Sequence, residues 1–185
     1  MAKIEPALVH VFNMEGGFVN HSDDPGGATN YGVTQKTFDQ YNRVEGRDTY
    51  KVSRLTKFEA REIYKKMYWD QCNLDHVDAQ NLATMVFDQA VNCGPQVSAL
   101  RLQWSLNNTV RGAQLATDGV LGKKTIAIIN QQNNTYNIKK EFLKQTYLYY
   151  AKIVKRGGKW NNGFVSFIHG WTKRANHLMD LLRAE

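Results

Sequence analysis

Between positions 15 and 29 the chain gathers a lone carboxyl, Glu15, an adjacent pair, Asp23 and Asp24, and a hydroxyl, Thr29. One carboxyl that keeps its proton, set against one that is ionised, is what glycosidic-bond hydrolysis requires. The acid protonates the leaving oxygen while the second group activates water or stabilises an oxocarbenium-like centre. Glu15 has two reasons to hold its proton: it extends the apolar stripe of Leu8, Val11 and Phe12, so inward packing would desolvate it, and it sits at the negative end of a helix dipole. The dipole contributes only about 0.3–1 kcal/mol, less than one pKa unit, whereas burial shifts a carboxyl by several units, so burial dominates. Asp24, with Asp23 as substitute, would serve as base or charge stabiliser, and Thr29, with Thr34 as alternative, would position water. The same residues admit a plainer reading, in which Glu15 caps a surface helix and Asp-Asp-Pro-Gly-Gly is simply a good turn.

The elements around these residues follow from apolar spacing and from helix start and stop signals. Pro6 to Met14 reads as a helix with proline in its first turn, and Gly16-Gly17 lets the chain leave it in a left-handed turn. Phe18–Asn20 and Asn30–Val33 are expected to pair as short strands around the loop that carries Asp23 and Asp24. Thr34 caps a short helix through Tyr41, a polar loop covers Asn42 to Ser53, and Thr56-Lys57-Phe58-Glu59 is a capping box opening a helix through about Trp69. Trp69 is a core aromatic or a wall of a sugar cleft. Ala79 to Cys93 carries Leu82, Met85, Val86, Ala90 and Val91 as a buried helix stopped at Gly94-Pro95, with Asn92 at its end as a C-cap or a substrate contact.

Pro95 opens another helix through Val97, Leu100, Leu102 and Trp104, which gives way to a polar segment from Asn107 to Thr117. Asp118-Gly119-Val120-Leu121-Gly122 is a glycine-rich turn feeding a helix through Ile129; two residues between its glycines are too few for a phosphate loop. Helices are expected from about Asn137 to Val154 and, after Gly157-Gly158, from Asn162 to Arg183. The class is therefore mainly α, with one small β element beside the acidic loop.

The run Glu15-Gly16-Gly17-Phe18, with Asp24-Pro25-Gly26-Gly27 and Thr29-Asn30-Tyr31-Gly32-Val33-Thr34, resembles the signature of glycoside hydrolase family 108. That family comprises peptidoglycan muramidases common in bacteriophages and prophages. The resemblance continues through Tyr68-Trp69-Asp70 and Phe87-Asp88-Gln89-Ala90-Val91-Asn92-Cys93-Gly94 and covers nearly the whole chain. Leu102-Gln103, Asp118 to Gly122 and Gly170-Trp171 resemble, through shorter motifs, the peptidoglycan-binding region that accompanies the family. The resemblance implies a lysozyme-like α-helical fold with a small β-hairpin next to the active-site cleft. It implies a catalytic region over 1–95 and a helical, basic binding region over 96–185 packed on it. Glu15 becomes the catalytic acid, Asp24 and Thr29 its partners, and Tyr31, Trp69 and Asn92 substrate contacts. The bond cut would be the β-1,4 link between N-acetylmuramic acid and N-acetylglucosamine. Eight residues separate Glu15 from Asp24, as in the Glu, Asp and Thr triad of other bacteriophage lysozymes, but the four between Asp24 and Thr29 are one fewer than in that triad.

Charge is uneven along the chain. Residues 123–185 hold 12 Lys or Arg against 3 Asp or Glu, net +9, whereas residues 1–122 hold 12 against 14, net −2. A basic C-terminal third draws a protein to polyanions such as anionic envelope polymers, and less so at high salt. Nucleic acid is the competing partner, but no nucleic-acid motif is present and none is expected to bind. Cys72 and Cys93 are too few for a disulfide framework and no zinc spacing is present, so neither cofactor nor metal is expected. No apolar run reaches the ~20 residues of a membrane span and no signal-peptide pattern opens the chain. The expectation is a monomer made soluble in the bacterial cytoplasm that acts on the cell wall after release. A lytic transglycosylase on the same substrate, and a non-enzymatic envelope-binding or nucleic-acid-binding protein, are the competing functions.

Overall fold

The computed structural model describes residues 1–15, 29–155 and 162–183, with side chains except at 14–15 and 162–169. In chain order these form helix α1 (Ile4–Glu15), strands β1 (Thr29–Asn30) and β2 (Val33–Thr34), then α2 (Gln35–Glu45), α3 (Lys57–Tyr64), α4 (Gln80–Cys93), α5 (Pro95–Thr109), α6 (Lys123–Asn130), α7 (Tyr136–Val154) and α8 (Asn162–Arg183). The described residues are mainly helical with a small antiparallel hairpin, as the sequence predicts.

α4 is the axis of the fold because its sequence is apolar on every side. Leu82, Ala83, Met85, Val86, Phe87 and Ala90 are all buried, which is the pattern of a helix enclosed by others rather than lying on a surface. α1, α5 and α8 pack against it, α5 and α8 also pack on α7, and the buried side chains of all these helices belong to one continuous core. The boundary at Gly94 is thus a sharp bend inside that core. Gly94 takes a φ of 90°, a backbone conformation open to glycine, and Pro95 starts α5 directly behind it. Among the described residues no helix is long and apolar enough to cross a membrane.

Local signals set most helix ends. The Thr34 hydroxyl accepts from the Thr37 N–H to start α2, which runs to Glu45, past the Tyr41 end expected from sequence, and stops at left-handed Gly46. Thr56 and Glu59 form the expected reciprocal capping box at α3. Beyond Tyr64, α3 widens into a π turn over Lys65–Trp69 and then short 3₁₀ turns. That change of pitch rotates Trp69 inward: it is 0% exposed, packs edge-on against Phe87 and donates its indole N–H to Asp75 Oδ1 at 2.7 Å. A cleft-lining role for Trp69 is corrected on this ground, since a side chain without accessible surface cannot stack on a sugar.

The glycine-rich turn at 118–122 is likewise accounted for internally. Gln103 donates to Asp118 Oδ1 and to the Val120 carbonyl and accepts from the Gly119 N–H, at 2.7, 2.9 and 2.9 Å. A Cβ on Gly119, whose φ is +78°, would lie 2.5 Å from the Gln96 side chain and 3.0 Å from its carbonyl oxygen, so only glycine fits. Asn73 closes the turn onto the other side of the core through the Leu121 carbonyl at 3.0 Å.

Candidate active site

The hairpin that the described residues form is a tight one. β1 pairs with β2 in the register Thr29 to Thr34 and Asn30 to Val33, so it folds within the Asn30–Val33 segment itself; Phe18–Asn20, expected as the partner strand, lies outside the described residues. Its two turn residues, Tyr31 and Gly32, have φ of 51° and 74°. Positive φ at both central positions is the two-residue turn whose twist matches antiparallel strands. Glycine adopts it freely, but a tyrosine does so at a cost of about 1–2 kcal/mol, so its neighbours must hold it there.

They are aromatic. The Tyr31 ring sits 6.1 Å from that of Phe12, Phe12 meets Tyr64 edge-on at 5.5 Å, and the Tyr64 hydroxyl donates to the Tyr31 carbonyl at 2.9 Å. Phe12 belongs to the last turns of α1, so the hairpin tip is docked where the first helix ends. Asn30 anchors the other side, its amide donating to the carbonyls of Val52 and Leu55 at 3.3 and 3.1 Å.

Beside this tip lies a pocket of about 250 Å³. Gly32, Val33 and Thr34 of the hairpin form one wall, Thr37 of α2 and Tyr64 and Tyr68 another, and Val91 and Asn92 of α4 with Arg174 of α8 the third. Five hydroxyl or amide side chains and one guanidinium therefore converge on a space too small for an oligosaccharide but suited to one sugar ring or its substituent.

A buried polar network aims the third wall. Asp88 is 0% exposed; Arg174 Nε donates to its Oδ1 at 2.9 Å and Gln89 Nε2 to its Oδ2 at 3.0 Å. The Gln89 amide also donates to the Tyr150 hydroxyl at 3.1 Å, which in turn donates to Asn92 Oδ1 at 3.1 Å. Arg101 closes the network from α5, donating to Gln89 Oε1 at 2.6 Å with its guanidinium 4.2 Å over the Tyr149 ring. His10 Nε2 of α1 stands 3.5 Å from Asp88 Oδ1, within ion-pair reach but outside hydrogen-bond geometry. Burial by itself would push the Asp88 pKa up; His10 and the Arg174 guanidinium outweigh it and hold the carboxyl below its ordinary value. Burial pushes the neighbouring Cys93 thiol and Tyr150 hydroxyl up, so both stay protonated at neutral pH.

Of the residues singled out from sequence, the structure brings the Tyr31 turn and Asn92 to the same pocket and places Thr29 half-buried in β1, across from Thr34. Thr34 lines the pocket while serving as a helix cap. Asn92 is not used as the cap, since the Gly94 N–H closes α4 on the Ala90 carbonyl. Glu15 is the last residue of α1; its side chain, and Asp23 and Asp24 altogether, lie outside the described residues. Sequence reasoning gave no site role to Arg174, Tyr68 or Asp88, although the last two lie in motifs that carry the family resemblance. A charged residue inside the apolar run Met85 to Ala90 was the available signal for Asp88; Arg174, 86 positions away from it, had none. Among the described residues no three His, Cys, Asp or Glu side chains converge as metal ligands would.

The profile of the Glycosyl hydrolase 108 family matches residues 8–94. Over its whole length the chain is also similar to the solved structure of SagA from Brucella abortus, at 32% identity and a TM-score of 0.73, covering 96% of this chain and 91% of that one. The chain belongs to glycosyl hydrolase family 108. No curated protein matches the sequence significantly. As a member of family 108 the protein is a glycosidase with a lysozyme-like, mainly α fold, and the substrate that the family implies is peptidoglycan.

Proposed function

We propose that this family 108 protein is an N-acetylmuramidase that hydrolyses the β-1,4 bond between N-acetylmuramic acid and N-acetylglucosamine. Glu15 acts as general acid, Asp24 (or Asp23) as base or charge stabiliser, and Thr29 holds the water; Tyr31 and Asn92 contact the sugar. The observation that carries this reading is the polar pocket at the tip of the hairpin, docked through Tyr31 and Phe12 on the turn of α1 that leads to Glu15. The family match supports it by spanning every one of these residues. Residues 1–95 supply the reacting groups, and residues 96–185, through the basic last third, hold the enzyme to the anionic wall in a salt-sensitive way. The protein works as a monomer, on the wall, after release from the cytoplasm in which it is made.

Glu15→Gln keeps the side chain's size and removes its transferable proton. It is expected to fold as the wild type does by circular dichroism and to lose lysis of purified walls by about 10²–10⁴-fold, the usual range for a general acid. Undiminished lysis refutes the assignment. Mass analysis of the wild-type products decides the bond chemistry: hydrolysis adds a water, whereas a transglycosylase leaves an anhydro sugar.

A further inference from the structure

The guanidinium on the pocket wall has no role in the reaction as so far described, yet much of the core is arranged to hold it. Arg174 comes from α8, is 8% exposed and lines the pocket together with Gly32, Thr34, Thr37, Tyr68 and Asn92. It is the one charged side chain among the described lining residues. Its Nε is fixed by Asp88, and Asp88 is tied through Gln89 and Tyr150 to Asn92, so one network sets the position of two pocket side chains. A guanidinium carries five N–H donors in a planar fork and no acceptor, so what it selects on a ligand is an acceptor oxygen, most strongly a carboxylate.

We propose that Arg174 is a substrate-contacting, specificity-determining residue that donates to the carbonyl oxygen of the 3-O-lactyl arm of N-acetylmuramic acid. The proposal rests on the muramidase reading. It follows from a chemical difference: the two sugars of the glycan differ only by that arm, which ends in a carboxylate on a bare strand and in an amide where a stem peptide is attached. At about 250 Å³ the pocket lies below the ~300–1,000 Å³ of sites for drug-sized ligands, which suits one ring or its arm. The helix that delivers Arg174 lies outside residues 8–94 matched by the family profile, so the C-terminal half contributes to recognition inside the cleft and not only to wall attachment.

The test uses the full chain and three probes: intact peptidoglycan, glycan strands stripped of stem peptides, and chitotetraose, which has no lactyl arm. Because removing Arg174 alone would leave the buried Asp88 charge with only His10 and Gln89 beside it, the variant is Asp88→Asn with Arg174→Met, compared with Arg174→Lys. The double variant is expected to raise KM for both muramyl glycans by about ten- to a hundredfold more than it raises the Kd for chitotetraose, the loss of one charge-assisted hydrogen bond; a shift of Asn92 through the shared network weakens binding of all three probes alike. Arg174→Lys should recover more on the stripped strands, where the arm is a carboxylate, than on the amide. A parallel weakening towards chitotetraose would reduce Arg174 to a structural role, and an unchanged KM would overturn the contact altogether. Should the double variant not fold, wild-type affinity for a stem-free muramyl disaccharide against chitobiose decides: at least tenfold in favour of the muramyl sugar is expected, and equal affinity overturns the proposal. New reducing ends on N-acetylglucosamine rather than N-acetylmuramic acid would sink the muramidase reading itself.

Discussion

Replacing Asp88 by Asn tests whether the buried network carries an ion pair that the fold depends on. The carboxylate is 0% exposed and the Arg174 side chain 10%, so solvent screens the pair little. Asparagine keeps the shape and one acceptor oxygen but removes the negative charge that faces Arg174, and breaking a buried ion pair costs about 3–5 kcal/mol. For a chain of this size each kcal/mol lowers Tm by about 2–4 °C, so Asp88→Asn should melt roughly 6–20 °C below wild type by calorimetry at pH 7. Adding Arg174→Met removes the other charge of the pair and should restore a large part of that loss. The pH dependence is tied to the same pair. Because the folded carboxyl titrates below the ordinary carboxylate value of about 3.9, the unfolded chain takes up its proton first as pH falls. The stabilisation is whole above about pH 5 and is lost progressively as pH drops through that value towards the folded pKa, so the gap in Tm between wild type and Asp88→Asn should narrow below about pH 4. An Asp88→Asn variant within about 1 kcal/mol of wild type at pH 7, or a gap that does not narrow in acid, would refute the reasoning.

Two further outcomes follow from the geometry. At Tyr31, whose φ is 51°, alanine removes the ring and keeps the strained backbone, whereas asparagine removes the ring and tolerates the left-handed conformation. Tyr31→Asn should therefore be more stable than Tyr31→Ala by about 1 kcal/mol in urea unfolding, while both lose activity if the ring touches the glycan; equal stabilities would mean the turn is not strained. Trp69→Phe deletes the bond to Asp75, whose side chain is half exposed, and should cost about 1.5 kcal/mol, the low end for a hydrogen bond to a charged group, with KM for peptidoglycan unchanged. A selective rise in KM would return Trp69 to the cleft.

The helical class, the caps at Thr34 and Thr56, the α4–α5 bend at Gly94-Pro95 and the bounds of α8 were legible in the sequence because each depends on neighbours within a few positions: a hydroxyl one turn from an N–H, a glycine with positive φ, a proline at a first turn. The motifs in the run Glu15 to Thr34 likewise carried the resemblance to a glycosidase family, which the family match bears out. Tertiary structure alone decided three other matters. The turn at Tyr31-Gly32 is held in its left-handed conformation because Phe12 and Tyr64 pack against it from α1 and α3. Trp69, read from sequence as core or cleft wall, went into the core, where it packs on Phe87 and its indole N–H finds Asp75. Arg174 reached the pocket from the last helix, because a buried carboxylate 86 positions earlier needed a cation, and no local periodicity records which distant helix will bring one.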